Sequence, residues 1–254
     1  MIAGADLDHI AIAVERWRDA WPRFAVELGG RWKSAGRDAG YAPSQLAYAN
    51  GMKVEILQPA QVEENDFLRR FLDRNGPGPH HFTFKLPDIT AALAECEAAG
   101  YRPVNVDMSH PEWKEGFLHP KEATGVLVQL AQAVGPDWIT PPVEGFPIPE
   151  REPATLVRVG HAVADLGEGL QLFAGLLGGV EIGRGVDGDA EWVDLAWPGP
   201  GRIRLLAPAG PSSSLVEWLD GRTGRVHHIA FAGSGRPGEL GPDAPVGTRL
   251  LLES

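Results

Sequence analysis

Two histidines and two side chains with oxygen donors recur at nearly equal spacing in the first half of the chain. His9 is followed 46 residues later by Glu55, and His81 is followed 48 residues later by Gln129. Two imidazoles, a carboxylate and an amide oxygen form a borderline-to-hard ligand set that suits Fe(II), Mn(II), Co(II), Ni(II) or Zn(II). The spacing therefore predicts one divalent metal ion, with coordination positions left for water or substrate.

Two adjacent histidines, His80 and His81, begin the alternating stretch HHFTFKL after a loop of glycines and prolines. Neighbouring side chains of a strand face opposite sides, so only one of the two can face the metal. By analogy with His9, we expect His81 to be the ligand and His80 to point away.

The elements that must position these residues follow from hydrophobic periodicity. Each half of this region predicts a strand, an amphipathic helix and two or three further strands, with a loop between the halves. The predicted strands are LDHIAIAV, SQLAYAN, MKVEILQP, HHFTFKL, EGFLHP and GVLVQLAQ, and the predicted helices are WRDAWPRFAVEL and DITAALAECEAAG. Two such βαβββ units, packed about a pseudo-twofold axis, would each contribute one imidazole and one oxygen ligand to a shared cleft.

The remainder of the chain repeats this region. An offset of 149 residues aligns 9–30 with 158–179 and 53–59 with 202–208 without a gap. We therefore expect a domain over 1–133, a proline-rich linker over 134–155 and a second domain over 156–254. After the second domain's HHIAF there is no room for another helix, so its last unit is truncated.

The second copy has different residues at the metal positions. Arg158 and Arg204 replace His9 and Glu55, and His228 matches His81. The position of Gln129 is occupied by Leu251 or, with a shift of the alignment, by Glu253. Two arginines repel a cation. The second domain is therefore predicted to be metal-free, either as a structural or lid-like partner or as a site that holds an anion.

Composition excludes several classes of function. The 254 residues carry a formal net charge of −11 and contain no apolar run near the length of a membrane span. Acidic residues spread along the chain disfavour nucleic acid and anionic membranes as partners. The start of the chain resembles no secretory signal and Cys96 is the only cysteine, so we expect a cytoplasmic protein with a small-molecule substrate. A homodimer is one of the assemblies left open.

The segments LDHIAIAVE, KVEILQP, GPHHFTFKLPDITAALAECEAAGYRPV and GFLHPKEATGVLVQLAQ resemble the vicinal oxygen chelate superfamily (glyoxalase, bleomycin resistance and dioxygenase proteins). The first half is most similar to methylmalonyl-CoA epimerases. The resemblance implies an α+β fold of tandem domains built from paired βαβββ units, the second domain being truncated. It implies the four metal ligands His9, Glu55, His81 and Gln129, with substrate chelated through two oxygens.

Two positions depart from the family pattern. Gln129 stands where epimerases and glyoxalases usually have a glutamate, and Gln45 stands nearest to the epimerase's other glutamate. Epimerisation by removal and return of a proton requires two opposed proton-transfer groups. Glu55 is the one identifiable carboxylate at the centre, as ligand, base or both.

Other residues are candidates for contact with substrate. Gln45 and Tyr48 share a predicted strand, and Tyr48 could equally belong to the core or the cavity wall. Trp113 and Lys114 lie in HPEWKEGFLHP, which is typical of a surface loop leading into a strand, although either side chain could close over an acidic ligand.

Three functions fit these residues. The first is a metal-dependent isomerase or lyase, glyoxalase- or epimerase-like, in which Glu55 moves a proton of a small oxo- or hydroxy-acid or an acyl-thioester through an enediolate. The second is a non-catalytic small-molecule binding protein of the resistance type. The third is a non-haem Fe(II) dioxygenase, because His9, His81 and Glu55 form a two-histidine, one-carboxylate set.

Overall fold

A computed structural model of the chain describes residues 1–233, 235, 237–242 and 245–254. The elements of the first half are β1 (Asp6–Ala13), α1 (Trp17–Trp21), β2 (Arg31–Ala35), β3 (Gly40–Ala47), β4 (Lys53–Ala60), α2 (Phe67–Asn75), β5 (Gly78–Lys85), α3 (Ile89–Ala98), β6 (Val104–Asp107), β7 (Trp113–Leu118) and β8 (Leu127–Ala133). The helix α1 continues as a π-helical segment over Pro22–Glu27. Within the described residues, no helix has the length and apolar composition that a membrane span requires.

The second half repeats the same succession in shortened form. Its elements are β9 (Thr155–Val163), α4 (Leu166–Leu170), β10 (Val180–Asp187), β11 (Ala190–Ala196), β12 (Arg202–Pro208), α5 (Ser214–Leu219), β13 (Gly224–Ala232), β14 (Gly238–Leu240) and β15 (Leu250–Glu253). As in the first copy, the first helix continues as a π-helical segment, here over Gln171–Leu176. The described part of the chain contains no helix after β13, so the predicted truncation of the last unit is confirmed.

The strands form two mixed sheets, one from each half. The eight-stranded sheet has the order β2-β3-β4-β1-β5-β8-β7-β6, and the seven-stranded sheet has the order β10-β11-β12-β9-β13-β15-β14. In each βαβββ unit the first strand pairs in parallel with the last strand, as in the ladders β1–β4, β5–β8, β9–β12 and β13–β15. This is the fold class predicted from the sequence, and the paired first and last strands carry the predicted metal ligands.

The structure corrects the prediction in the segment before HHFTFKL, where a helix replaces the expected loop. In α2, Leu68 and Leu72 are buried four residues apart, whereas Arg69 and Asp73 form an exposed ion pair at 2.9 Å. This 3.6-residue periodicity buries one face of the helix and solvates the other. The glycines and prolines that suggested a loop begin only after the helix ends.

The chain forms two compact units, each of which combines segments from both halves of the sequence. The first unit contains Met1–Asp8, His81–Pro136 and Arg158–His227. Inside it, the rings of Phe82 and Phe173 pack edge to face with their centroids 5.9 Å apart. Both residues are completely buried.

The second unit contains His9–His80, Asp137–Val157 and His228–Ser254. Inside it, Tyr48 packs on Phe231 with their ring centroids 4.9 Å apart. The predicted domains over 1–133 and 156–254, and their ability to fold independently, stay predictions.

The proline-rich segment forms no helix or strand over 134–154, all of which the structure describes. It is nevertheless fixed to β2. The guanidinium of Arg31 donates hydrogen bonds to the carbonyl oxygens of Pro149 and Arg151 at 2.7 and 2.8 Å, and the Ala35 N–H donates to the Thr140 hydroxyl at 2.9 Å. Its backbone polar groups are thus partly satisfied by a neighbouring strand, although prolines prevent it from joining a sheet.

Candidate metal centre

The first pair of predicted ligands comes from the parallel ladder of β1 and β4. His9 pairs with Lys53, and Ala11 pairs with Glu55. Because alternate residues of a strand share a face, His9 and Glu55 lie on the same side of the ladder. The His9 Nε2 atom is 3.6 Å from Glu55 Oε2, and the histidine is buried while the carboxylate retains slight exposure.

His81 completes a cluster with this pair. The strand β5 is the neighbour of β1 in the sheet. One ligand atom from each of His9, Glu55 and His81 lies within 4.8 Å of the other two. Two imidazole nitrogens and a carboxylate oxygen suit a borderline divalent cation and leave coordination positions for other ligands. The chemistry of the donor set therefore fits a divalent metal ion, without distinguishing among the five predicted metals.

His80 is not among the donors of this cluster. Its ring packs against two aromatic rings of α2, at centroid distances of 4.7 Å from Phe71 and 6.1 Å from Phe67. Burial lowers the pKa of His80 to about 4, although the negative charge of Glu55 acts in the opposite direction. The His80 imidazole is therefore neutral near pH 7 and belongs to the aromatic packing of α2.

Gln45 orients the Glu55 carboxylate. The two residues are direct partners in the antiparallel ladder of β3 and β4. The Gln45 Nε2 group donates a hydrogen bond to Glu55 Oε1 at 3.2 Å. Since Oε1 is engaged by the amide, Oε2 is the oxygen that lies beside His9.

An apolar cluster lies next to Glu55. It contains buried aliphatic residues of β1, β4 and α2, with three aromatic rings packed against them: Ala11, Ala13, Leu57, Leu68 and Leu72, together with Tyr41, Phe67 and Phe71. Ala11 is the ladder partner of Glu55, and Leu57 shares its face two residues further along β4. The carboxylate therefore lies at the edge of an apolar surface.

Gln129 occupies, in the β5–β8 ladder, the position that Glu55 occupies in the β1–β4 ladder. His81 pairs with Leu127 and Thr83 pairs with Gln129, so that in both ladders the oxygen donor lies two residues beyond the partner of the histidine. The Thr83 hydroxyl donates to the Gln129 amide oxygen at 2.6 Å. A metal ion at this amide oxygen would share it with Thr83, and the predicted role of Gln129 as a ligand stays a prediction.

Glu115 was missed by the sequence analysis. Its Oε2 atom accepts one hydrogen bond from Gln129 Nε2 and one from Trp113 Nε1, both at 2.7 Å. Phe117 is the direct ladder partner of Gln129, so Glu115, two residues away along β7, lies on the same face. The sequence offered one signal for this position. Alternation along EGFL places Glu115 and Phe117 on one face of the strand, and the pairing of Phe117 with Gln129 then places Glu115 on the face of Gln129.

The remaining predicted site residues lie in three different environments. Trp113 is the first residue of β7, which thus begins two residues earlier than predicted, and it contacts Glu115. Lys114 follows it and therefore faces the other side of the strand. Tyr48 is buried, its hydroxyl donates to the Phe24 carbonyl oxygen at 3.0 Å, and burial raises its pKa well above the ordinary value. The structure places Gln45 beside Glu55 in the cluster of candidate ligands, and it places Tyr48 in the core.

The second sheet has an ion pair at the position that corresponds to Glu55. Arg204 pairs with Gly160 as Glu55 pairs with Ala11. Its guanidinium donates two hydrogen bonds to Asp194, both at 2.7 Å, and lies 4.3 Å from the centroid of the Trp192 ring. The charge of Arg204 is thus balanced by a neighbouring carboxylate.

The register of the β13–β15 ladder decides which residue of the second copy corresponds to Gln129. Leu251 pairs with Ala230 as Gln129 pairs with Thr83. Leu251 is therefore the counterpart of Gln129, and the alternative with Glu253, which lies two residues further along β15, is wrong. An aliphatic side chain at this position offers no ligand atom.

Comparison with known proteins identifies the family. The model of the glyoxalase/bleomycin resistance protein/dioxygenase superfamily matches residues 8–117. Ethylmalonyl-CoA/methylmalonyl-CoA epimerase of Cereibacter sphaeroides is 30% identical over 135 residues, which are 50% of this chain and 96% of that protein. The chain belongs to this superfamily. The resemblance noted in the sequence is thereby confirmed.

Two further similar proteins cover different lengths of the chain. Human mitochondrial methylmalonyl-CoA epimerase is 29% identical over 131 residues, covering 50% of this chain and 73% of that protein. A mutant of 4-hydroxymandelate synthase from Streptomyces coelicolor matches 90% of this chain and 71% of its own, with a TM-score of 0.65 and 14% identity. The second match shows that the fold of both halves of the chain is like that of this synthase.

Proposed function

We propose that the protein is a metal-dependent isomerase that moves a proton at the carbon next to a chelated carbonyl of an acyl-thioester. The observation that carries this proposal is the His9, Glu55 and His81 cluster, in which a carboxylate lies among donors suited to a divalent cation. The epimerases that are similar to the first half of the chain act, by their names, on acyl-CoA thioesters. A small oxo- or hydroxy-acid offers two chelating oxygens, one from its carboxylate and one from the neighbouring carbonyl or hydroxyl group.

The chain's residues have distinct roles in this proposal. His9, His81 and Glu55 hold the metal ion, with the Gln129 amide oxygen as the predicted fourth ligand. When bound, such an ion polarises a carbonyl group and acidifies the neighbouring C–H bond. Glu55 accepts the proton, and Gln45 holds its carboxylate in position. The apolar cluster beside Glu55 excludes water from the carbon that loses its proton.

A non-haem Fe(II) dioxygenase is the second candidate, since a two-histidine, one-carboxylate cluster is the donor set of such enzymes. In the superfamily dioxygenases the resemblance places the carboxylate on the last strand, where this chain has Gln129. A resistance-type binding protein would use the same cleft and would need no base. The lyase alternative begins with the same removal of a proton. It differs from the isomerase reaction only in what then happens to the resulting substrate anion.

Deuterium exchange separates these functions. The metal-loaded protein is incubated in D₂O with α-branched acyl-CoA thioesters, 2-oxo acids and hemithioacetals, and the product is analysed by mass spectrometry. We expect deuterium at the carbon next to the chelated carbonyl without consumption of oxygen. Glu55→Gln should reduce exchange by about 10²–10⁴-fold, as expected for loss of a general base.

The matched control is Glu112→Gln, which removes an exposed carboxylate before β7 and should leave the exchange rate unchanged. Exchange that survives Glu55→Gln would refute the role of Glu55. Oxygen consumption with Fe(II) would favour the dioxygenase. Tight ligand binding without exchange or oxygen consumption would favour the binding protein.

A further inference from the structure

We propose that a cleft between α1 and the proline-rich segment binds a small apolar carboxylate, separately from the metal centre. The cleft has a volume of about 330 Å³, and its lining includes Arg18, Trp21, Pro22, Val26, Gly145 and Pro147. None of these residues is a candidate metal ligand. All of them belong to the second compact unit, so the cleft is formed within one part of the fold. The inference does not depend on the proposed function.

The proline-rich segment forms part of the lining because Phe146 anchors it. The Phe146 ring packs edge to face on Trp21, with the ring centroids 5.5 Å apart, and on Trp32 of β2, with the centroids 4.9 Å apart. The two residues on either side of Phe146, Gly145 and Pro147, line the cleft. This segment therefore does more than connect the two halves of the chain, since it completes an apolar surface beside α1.

Arg18 supplies a positive charge to the cleft. Its side chain is exposed, and within the part of the chain that the structure describes it forms no hydrogen bond or ion pair. The other charged lining residue, Glu27, is paired with Arg23, which lies one turn before it. A guanidinium group binds a carboxylate through two parallel hydrogen bonds. An anion is therefore the ligand that the charge of the cleft favours.

The indole of Trp21 supplies a second donor. Trp21 is 7% exposed, and its Nε1 atom is buried without a hydrogen-bond partner among the described residues. Most buried donors in native proteins have a partner. Positions 18 and 21 are three residues apart on α1 and thus share one face of the helix. One oxygen of a carboxylate can pair with Arg18 while the other accepts the indole N–H, which requires the covering Trp21 or Phe146 ring to shift.

The second copy of the repeat lacks both donors. The offset of 149 residues aligns Arg18 with Gly167 and Trp21 with Leu170. In both copies the first helix continues as a π-helical segment. The backbone of this helix therefore forms without an arginine or a tryptophan at these positions, and the two donors are features of the first copy alone.

The lining defines the class of ligand. The carboxylate end is matched by Arg18 and the Trp21 indole, and an apolar body is matched by the prolines and by Val26. Ligand pockets commonly have volumes of about 300–1,000 Å³, so this cleft suits a small molecule. A short-chain aliphatic carboxylate has this shape and charge. The corresponding amide has the same shape without the charge and serves as the comparison ligand.

Hexanoate is the probe, and hexanamide is its neutral counterpart. The indole N–H signals of the isotope-labelled full-length protein are followed by proton–nitrogen NMR, and the Trp21 signal is the one absent from Trp21→Phe. We expect hexanoate to move this signal to lower field with a Kd of about 1 mM, and hexanamide to bind at least about tenfold more weakly.

Two exposed positions test the lining without disturbing the core. Arg18→Gln should weaken hexanoate binding about tenfold, and Val26→Glu, which adds a negative charge to the wall, should abolish it. Arg16→Gln is the matched control. Arg16 is an exposed arginine two residues away that is not among the lining residues and pairs with Asp19 at 2.8 Å, so its loss should leave the Kd unchanged.

Removal of the metal separates the cleft from the metal centre. Hexanoate should bind with the same Kd to the His9→Ala and His81→Ala double variant and to wild type stripped of metal by a chelator. Loss of binding in both would assign the carboxylate to the metal ion and refute the proposal. A Trp21 signal that hexanoate does not move, or equal Kd values for Arg18→Gln and Arg16→Gln, would also refute it. None of these results bears on the isomerase proposal, which deuterium exchange tests.

Discussion

One buried histidine, His161, should contribute to a loss of stability of the fold in acid. This residue is completely buried, and its Nε2 atom lies 2.9 Å from the Thr124 carbonyl oxygen. Its ring packs edge to face on Phe82 and Phe173, each at a centroid distance of 5.7 Å. Burial lowers the pKa of His161 to about 4, although the hydrogen bond to Thr124 acts in the opposite direction.

The sign and the size of the effect follow from this shift. The unfolded chain takes up a proton at this histidine below about pH 6.5, whereas the folded chain does so only near pH 4. The lowered pKa therefore costs no stability above about pH 6.5, and the free energy of unfolding falls as the pH is lowered towards 4. The loss is about 2 kcal/mol at pH 5 and approaches about 3 kcal/mol near pH 4.

Urea unfolding at several pH values between 7.5 and 4.5 measures this loss. His161→Phe preserves the aromatic packing and removes the titration, so its free energy of unfolding should fall less steeply with acid than that of wild type, by about 2 kcal/mol at pH 5. Phe173→Leu is the control, since it weakens the same packing but keeps the histidine and should retain the wild-type pH slope. Parallel curves for wild type and His161→Phe would refute the reasoning.

Metal content and backbone packing give two further predictions. The protein should bind about one divalent metal ion per chain, and His9→Ala combined with His81→Ala should abolish binding, whereas His228→Ala should not; mass spectrometry measures this, and metal retained by the double variant would show that the ligands are wrongly assigned. Gly125→Ala should destabilise the protein by about 3 kcal/mol, because the new Cβ would lie 1.9 Å from a backbone oxygen at a φ of +79°. Gly51→Ala, at a φ of +86° with open space around it, should cost only about 1 kcal/mol in the same urea titrations, and equal losses would contradict the steric argument.

The cluster of His9, Glu55 and His81 could be predicted from the sequence because spacing and register are properties of the backbone. Alternate residues of a strand share a face, and the constant offset between paired residues of a parallel ladder determines which residues of the two strands lie side by side. The duplication was predicted from the offset of 149 residues that aligns the two halves, and the truncated last unit from the lack of room for a helix after HHIAF. A single sequence displays both features.

The position of Glu115 could not be predicted in the same way. Its contact with Gln129 runs diagonally across the β7–β8 ladder, and which diagonal partner a long side chain meets depends on its rotamer. The helix α2 was missed for a different reason. Its nine residues have the 3.6-residue periodicity of a helix, but the glycines and prolines that follow them indicated a loop, and the packing of Leu68 and Leu72 against distant strands is not visible in the sequence.

The interleaving of the two compact units determines when each can be completed during synthesis. Tyr48 packs on Phe231, which emerges from the ribosome about 10–40 s later at ordinary elongation rates. During that interval the ring of Tyr48 lacks its partner, and the nascent first half exposes apolar surface that the finished protein buries. We therefore expect the packing around Tyr48 to be completed only after β13, which carries Phe231, has been translated.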